Sequence, residues 1–417
     1  VIFYSGQTHM LTSHTALFLM ALLLVAALVE PLAKKIHLPF SIILVLIGFI
    51  GSEVAVKTLN IDTGIRWDNF GTIIFYFILP ILIFQAALEI DIKILWKNIV
   101  PIGLLALPLM LVSAAVIAAC VFYGIDHPVG FPWMAAFITG ALLSATDPAA
   151  VLALLKNANA PERLSMLLEG ESLFNDATAI VMFSLLIAIA TGIQSAGSVD
   201  EVLLRFATVF FGGLAVGVIV GLVTCLMMKM LVGPYSFPLL SIICTYASFL
   251  IAEDLLHLSG VMAVLAAGLM IGRCHRQSMS QMDDDFANKF WGLLGHIAES
   301  TIFLLAGITI TLSMFTEQWL AIVIGIIAVV IARIVMVFGT FPILNIVPGV
   351  DAVPLKQQVV LAWGGVRGTV TLALALSLPL TLDYWYTIQS IAYGVVLFTL
   401  FVQATTMSPL IRKLDIT

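Results

Sequence analysis

Charge is what this sequence has least of. Of 417 residues, 18 are Lys or Arg and 24 are Asp or Glu, so charged residues make up 10% of the chain. A soluble domain carries about 25%. The shortage excludes a protein folded chiefly in water. The basic residues form no run, which sets aside nucleic acid as a partner. The net charge of −6 is spread along the chain and points to no partner of opposite sign. Cysteine is scarce too. Cys120, Cys225, Cys244 and Cys274 form no Cys-x-x-Cys pair, and three of them sit in apolar runs. They read as small buried hydrophobes, not as a disulfide framework or a soft-metal site. Six of the seven histidines fall in or near loops and only His296 falls in an apolar segment. His275, within Arg273-Cys274-His275-Arg276, reads as part of a solvated basic cluster. No charged stretch precedes the first apolar one, so no signal peptide is expected.

What fills the chain is apolar sequence: 61% of residues are hydrophobic and the mean hydropathy is +1.14. A spanning helix needs about 20 such residues. Thirteen segments qualify: 14–33, 39–56, 70–90, 98–123, 131–156, 165–192, 201–230, 236–255, 258–273, 287–316, 319–342, 356–382 and 388–411. With the N-terminus outside, thirteen of the 18 basic residues, from Lys34 to Lys413, fall inside. Three (Lys57, Arg66, Arg205) fall outside, and Arg333 and Arg367 lie within segments. The positive-inside rule then predicts an outer N-terminus and a cytoplasmic C-terminus.

Two segments are interrupted at matching places. Ala145-Thr146-Asp147-Pro148 breaks the fifth, and Trp363-Gly364-Gly365-Val366-Arg367-Gly368 breaks the twelfth. Proline and clustered glycines end helices, and open backbone at membrane depth survives where it lines a site. Fifth and twelfth correspond if segments 1–6 and 8–13 are two six-helix repeats, inverted by the odd seventh. Paired broken helices in inverted repeats mark a transporter's binding site.

The polar residues at membrane depth concentrate there. Gly170-Glu171-Ser172-Leu173-Phe174-Asn175-Asp176 sets Glu171 above Asn175 and Ser172 above Asp176 on a helix. Ionisable groups in a bilayer are functional by default. Ser172, Asp176, Asp147 and the freed Thr146 carbonyl offer only hard oxygens, suited to Na+ or Li+. Burial favours the protonated carboxyl and a nearby cation the ionised one, so proton and cation compete for Asp176. Arg333 needs a partner, Glu171 first and Glu299 as the alternative. Arg367 is placed to cap broken helix ends or tune the site potential. Asn175, an amide beside the carboxylate, implies one proton per cation and no net charge moved; it can also bond the open helix ends.

These motifs resemble the signature segments of monovalent cation/proton antiporters, in the branch of NhaP-type prokaryotic antiporters and animal sodium/proton exchangers. The resemblance runs from the first span to Lys413. It implies an all-α polytopic, NhaA-like thirteen-helix fold with discontinuous helices 5 and 12, forming a homodimer. A core of helices 4–6 (98–192) and 11–13 (317–417) would move like an elevator. Helices 1–3 (1–97), the linker helix 7 and helices 8–10 (193–316) would form the dimerisation part. Asp176 would be the principal ion and proton carboxylate, Asp147, Thr146 and Ser172 its further ligands. Glu171 and Arg333 would form the ion pair of electroneutral members, and Asn175 would be the partner residue of the Asn-Asp motif. One departure stands in Leu79-Pro80-Ile81-Leu82-Ile83-Phe84-Gln85, where the family often has an acid at the position of Gln85; Glu89, one turn on, is a substitute. The chain ends soon after the last helix, without the cytoplasmic tail of animal members, which fits a prokaryotic or shortened chain. The expected activity is electroneutral exchange of Na+, or Li+, for H+ in the plasma membrane, with lipid as the other partner and no cofactor. A K+/H+ antiporter is the close alternative. An intramembrane aspartyl protease with an Asp147–Asp176 dyad is remote, since no Tyr-Asp or Gly-x-Gly-Asp motif is present at the required places. An ion channel would leave the repeats and the buried ion pair without a role.

Overall fold

The computed structural model describes residues 20–416 apart from 21–22, 32, 34, 36–38, 58–69, 126–129, 159, 196, 232, 234, 279–280 and 346–351. Much of the first predicted segment (14–33), with Lys34, Arg66, His9, His14, His37 and His127, lies outside the described residues. Among the described residues every regular element is helical. Nine helices there are long and apolar enough to cross a membrane, and Phe40–Val54 is a shorter apolar one. In hydrocarbon each backbone N–H must bond within its own segment, and an apolar run satisfies that as a helix. The chain is an integral, multi-pass membrane protein.

Small residues let the helices approach closely. Val199–Met230 begins at a capping box in which Ser198 and Glu201 satisfy each other's backbone. It carries Gly213, Gly217 and Gly221 on one face, against Gly260–Ser278. A Cβ at Gly217 would strike the Ala263 carbonyl. Gly48 of Phe40–Lys57 and Gly307 of Gln281–Thr309 meet in the same way. Lipid tails supply no hydrophobic drive between helices, so such close van der Waals packing does that work.

Several segments differ from their sequence reading in detail. The stretch read as 98–123 is two helices, Ile99–Ala106 and Pro108–Gly124, with Leu107 out of helical geometry between them. Proline disfavours the helical region for the residue before it. The stretch read as 287–316 ends its long helix at Thr309 and resumes as Leu312–Glu317. Gly260–Ser278 runs past the predicted end at 273, so Arg273-Cys274-His275-Arg276 is helical and not loop.

The site is built by four helices, two of them broken. The long helix Glu162–Ala190 packs against Trp133–Ser144, the first half of one broken helix. That broken helix resumes as Ala149–Asn157. The second broken helix is Leu355–Trp363 followed by Thr369–Leu376. Trp319–Leu344 packs against Leu355–Trp363 and brings Arg333 to its end.

Candidate functional site

The two breaks meet. Asp147 N donates to the Val366 carbonyl at 2.7 Å, tying one interruption to the other across the fold. In the first, Pro148 cannot donate an amide hydrogen and holds Asp147 out of the helix. In the second, glycine makes the approach possible. A Cβ at Gly368 would overlap the Asp147 carboxylate, and one at Gly365 would come within 2.8 Å of Arg333 Nε.

Interrupting two helices creates four open ends, and three charged side chains close them. The Asp147 carboxylate accepts from Ala149 N at 3.2 Å, at the start of its own second half. It also accepts from Thr369 N and Thr369 Oγ1, each at 3.2 Å, at the start of the other second half. Arg367 donates through Nε to the Leu143 carbonyl at 2.9 Å, in the last turn of Trp133–Ser144, and through Nη1 to Gly365 O. Arg333 donates through Nε and Nη2 to the Leu361 carbonyl at 3.1 and 2.9 Å, in the last turn of Leu355–Trp363. The anion thus sits at the two positive ends and the cations at the two negative ends, the arrangement helix dipoles favour.

Arg333 also forks onto Glu171: Nη1 bonds Oε1, and Nη2 bonds Oε2 at 3.0 Å. Glu171 is 1% exposed and Arg333 4%. Of the two partners open to Arg333 in the sequence, the structure therefore brings Glu171 to it and leaves Glu299 elsewhere. Arg367, 1% exposed, is held further by Thr399, whose hydroxyl accepts from Arg367 N and donates to Arg367 O, both at 3.1 Å.

Asp176 lies beside this crossing. Its neighbours on Glu162–Ala190 occupy every polar atom of Thr146. Ser172 Oγ donates to the Thr146 carbonyl. Asn175 Nδ2 donates to Thr146 Oγ1 at 2.8 Å, and Thr146 N donates to Asn175 Oδ1 at 3.3 Å. Asp176 Oδ1, by contrast, is buried and has no hydrogen-bond partner. The Asp147 and Glu171 carboxylates lie within electrostatic reach of it, and the Thr146 N–H faces it. A buried carboxylate beside other carboxylates takes up positive charge, a proton or a small cation. The Ser172 hydroxyl and the Thr146 carbonyl that it bonds belong to the same crossing.

The family model described as sodium/hydrogen exchanger, transmembrane, matches residues 20–413. The chain belongs to the sodium/hydrogen exchanger family. Among the curated proteins this exchanger-family chain resembles, the Na+/H+ antiporter ApNhaP of Aphanothece halophytica is 35% identical over 383 residues, 91% of this chain and 70% of that protein. The Na+/H+ antiporter NhaP of Pseudomonas aeruginosa is 33% identical over 374 residues, 87% of this chain and 86% of that protein. The solved sodium proton antiporter MjNhaP1 of Methanocaldococcus jannaschii at pH 8 superposes with a TM-score of 0.78. It covers 97% of this chain and 99% of its own, at 20% identity, a likeness of fold.

The remaining predicted positions of this exchanger-family chain lie toward one end of the site. Gln85 Nε2 donates to Glu89 Oε1 at 3.1 Å, and the Gln85 amide packs on Gly295, where any Cβ would collide with it. Neither side chain hydrogen-bonds to Asp147 or Asp176. Glu89 is exposed and lines a cavity of about 320 Å³ with Leu88, Gly272, His275, Arg276 and Asn288. Arg276 Nη2 donates to the Leu88 and Ile90 carbonyls, each at 2.6 Å, closing the end of Leu79–Glu89. His275 is not solvated as its sequence neighbours suggested. It is 5% exposed, with its ring 4.0 Å from that of Phe237. The helix continues through these four residues and turns His275 inward.

Glu169 is not among the residues that the sequence singles out. It is half-buried and within electrostatic reach of Glu89 and Arg276. Its signal was present: Glu169, Ser172 and Asp176 stand three and four residues apart, one face of a helix. The Leu361 and Leu143 carbonyls, which hold the two arginines, carry no side-chain signal at all.

Proposed function

We propose that this chain exchanges Na+ for H+ across the membrane, with Asp176 holding either the cation or the proton. The observation that carries the reading is the buried, unpartnered Asp176 Oδ1 beside Thr146 and Asp147, where the two broken helices cross. Membership of the family supports the reaction class, and relatives named as Na+/H+ antiporters support the substrates. Asp176, Asp147, Ser172 Oγ and the Thr146 carbonyl would ligate Na+ and would take Li+ on the same oxygens. Asn175, Glu171, Arg333 and Arg367 hold those ligands in place. Gln85 and Glu89 stand on the approach.

The finer architecture belongs to the same proposal. Thirteen helices form two inverted six-helix repeats in a homodimer, with the N-terminus outside and the C-terminus in the cytoplasm. The contact between corresponding interrupted segments supports the repeats, and the distribution of lysine and arginine supports the orientation. Residues 98–192 and 317–417 move as the transporting body against the rest. A bare carboxylate is too costly to carry through the apolar barrier, so the two facing states interconvert when Asp176 is loaded. Because the Asn175 amide is committed to Thr146, one carboxylate titrates and exchange is one for one. A protease dyad is disfavoured because Asp147 is engaged by two helix N-termini and not by a proton shared with Asp176.

The test is cation-induced dissipation of a pH gradient in proteoliposomes, comparing Na+, Li+ and K+, with and without a potassium/valinomycin clamp. A Na+ or Li+ response insensitive to the clamp supports electroneutral exchange. A response to K+ alone keeps the mechanism and changes the substrate. Currents without counter-transport would sink the reading in favour of a channel.

A further inference from the structure

Glu299 is an acidic side chain at membrane depth that the site described above does not use. It lies on Gln281–Thr309, which packs against both Thr369–Leu376 and Leu79–Glu89. It is half-buried and forms no hydrogen bond or ion pair with any described residue, since the guanidinium of Arg333 is engaged by Glu171. One turn earlier on the same face, Gly295 presses on Gln85, whose amide holds Glu89. The charges acting on Glu299 are those of Asp147 and Glu89. The helices packed on its own carry Glu89 and, at the far end of Phe40–Lys57, Glu53 and Lys57; Thr369–Leu376 carries no charge. An unpaired carboxylate in a bilayer is costly to keep, and a packing role would be filled as well by an amide or an apolar residue.

We propose that Glu299 is a cation-staging carboxylate, which receives the ion from the cavity at Glu89 and passes it to Asp147 and Asp176. The inference rests on the exchange reading above. The helix that carries Glu299 touches both Thr369–Leu376, at the crossing of the broken helices, and Leu79–Glu89, whose last residue lines the cavity. Gln85 contributes no charge. Glu299 makes no hydrogen bond or ion pair with the described residues that hold the crossing together, so it acts on arrival of the ion and not on the movement of the loaded site.

The experiment is Na+-dependent exchange in proteoliposomes for the wild type, Glu299→Gln and Glu299→Asp. Loss of one attracting charge in a partly screened interior changes a binding constant by about tenfold. The expected result is an apparent KM for Na+ raised about tenfold in the glutamine variant, with Vmax within about twofold, and recovery to within about threefold in the aspartate variant. An unchanged KM, or a Vmax that falls while KM stays, would overturn the staging role. If the glutamine variant does not reach the membrane, Glu299→Ser removes the same charge and carries the same expectation. Failure of both to fold would make Glu299 structural and overturn the proposal. A wild type that exchanges no cation for protons would instead sink the exchange reading itself.

Discussion

Asn175 uses both ends of its amide on Thr146, while Asp176, the next residue, leaves Oδ1 buried without a partner. On the exchange proposal, Asn175 holds the site and Asp176 is the group that is loaded. Asp176→Asn is therefore expected to lower Na+-driven proton movement in proteoliposomes by at least about a hundredfold while the protein still folds. Exchange at a tenth of wild-type rate or more would contradict the assignment. Asn175→Asp removes the donor to Thr146 Oγ1 and adds a second carboxylate. Its exchange is expected to become sensitive to the potassium/valinomycin clamp, and clamp-independent exchange would count against the amide as the reason for neutrality. Arg333→Ala leaves Glu171 charged, buried and alone, which costs about 3–5 kcal/mol. A melting temperature in detergent well below wild type is expected, with the double variant Glu171→Gln, Arg333→Met recovering most of it. At this scale much was legible. The spacing of Glu171, Ser172, Asn175 and Asp176 placed these four side chains on one helix, as the structure has them, because helix periodicity is fixed by geometry. The sequence left Arg333 between two acids, since pairing across 162 residues depends on how helices pack.

The interrupted helices are the elements that matter, and their breaks were readable because proline and clustered glycines act locally. The short breaks at Leu107 and Ile310 were not read, since an apolar run conceals whether its backbone is continuous. Gly368 shows what close approach demands. Its Cβ position coincides with the Asp147 carboxylate, and that carboxylate bonds the adjacent Thr369 N. Gly368→Ala is expected to push Asp147 off the Thr369–Leu376 end. Exchange should fall at least about tenfold with folding largely kept, since the atoms met are those of the Asp147 side chain itself. Normal transport in that variant would mean that Asp147 does not need both helix ends.

Across the whole molecule, tight glycine contacts join Val199–Met230 to Gly260–Ser278 and Phe40–Lys57 to Gln281–Thr309, and Gly140 sets Trp133–Ser144 equally close to Ala114 of Pro108–Gly124. Backbones in such close contact slide poorly, which suits a static scaffold. The crossing is joined in addition by hydrogen bonds and charges. Orientation is the readout that tests the whole arrangement. In a chain whose four native cysteines are replaced by alanine, an impermeant thiol reagent is expected to label Ser195→Cys from outside and Lys413→Cys only from inside. Labelling of both from one side would remove one helix from the count and undo the inverted repeats.

The hydrogen bonds from Thr369 to Asp147 span 222 residues of sequence, and this separation has a meaning for biosynthesis. Ribosomes add about 5–20 residues per second. Asp147 therefore enters the membrane on the order of ten to forty seconds before the backbone that will satisfy it exists. During that interval the first half of the chain carries a charged loop at membrane depth whose carboxylate has its own Ala149 N–H but not the Thr369 donors. Nascent chains cut anywhere before Gly368 should consequently remain bound to the insertion machinery or its proteases, and release should come abruptly once the twelfth predicted segment has been made.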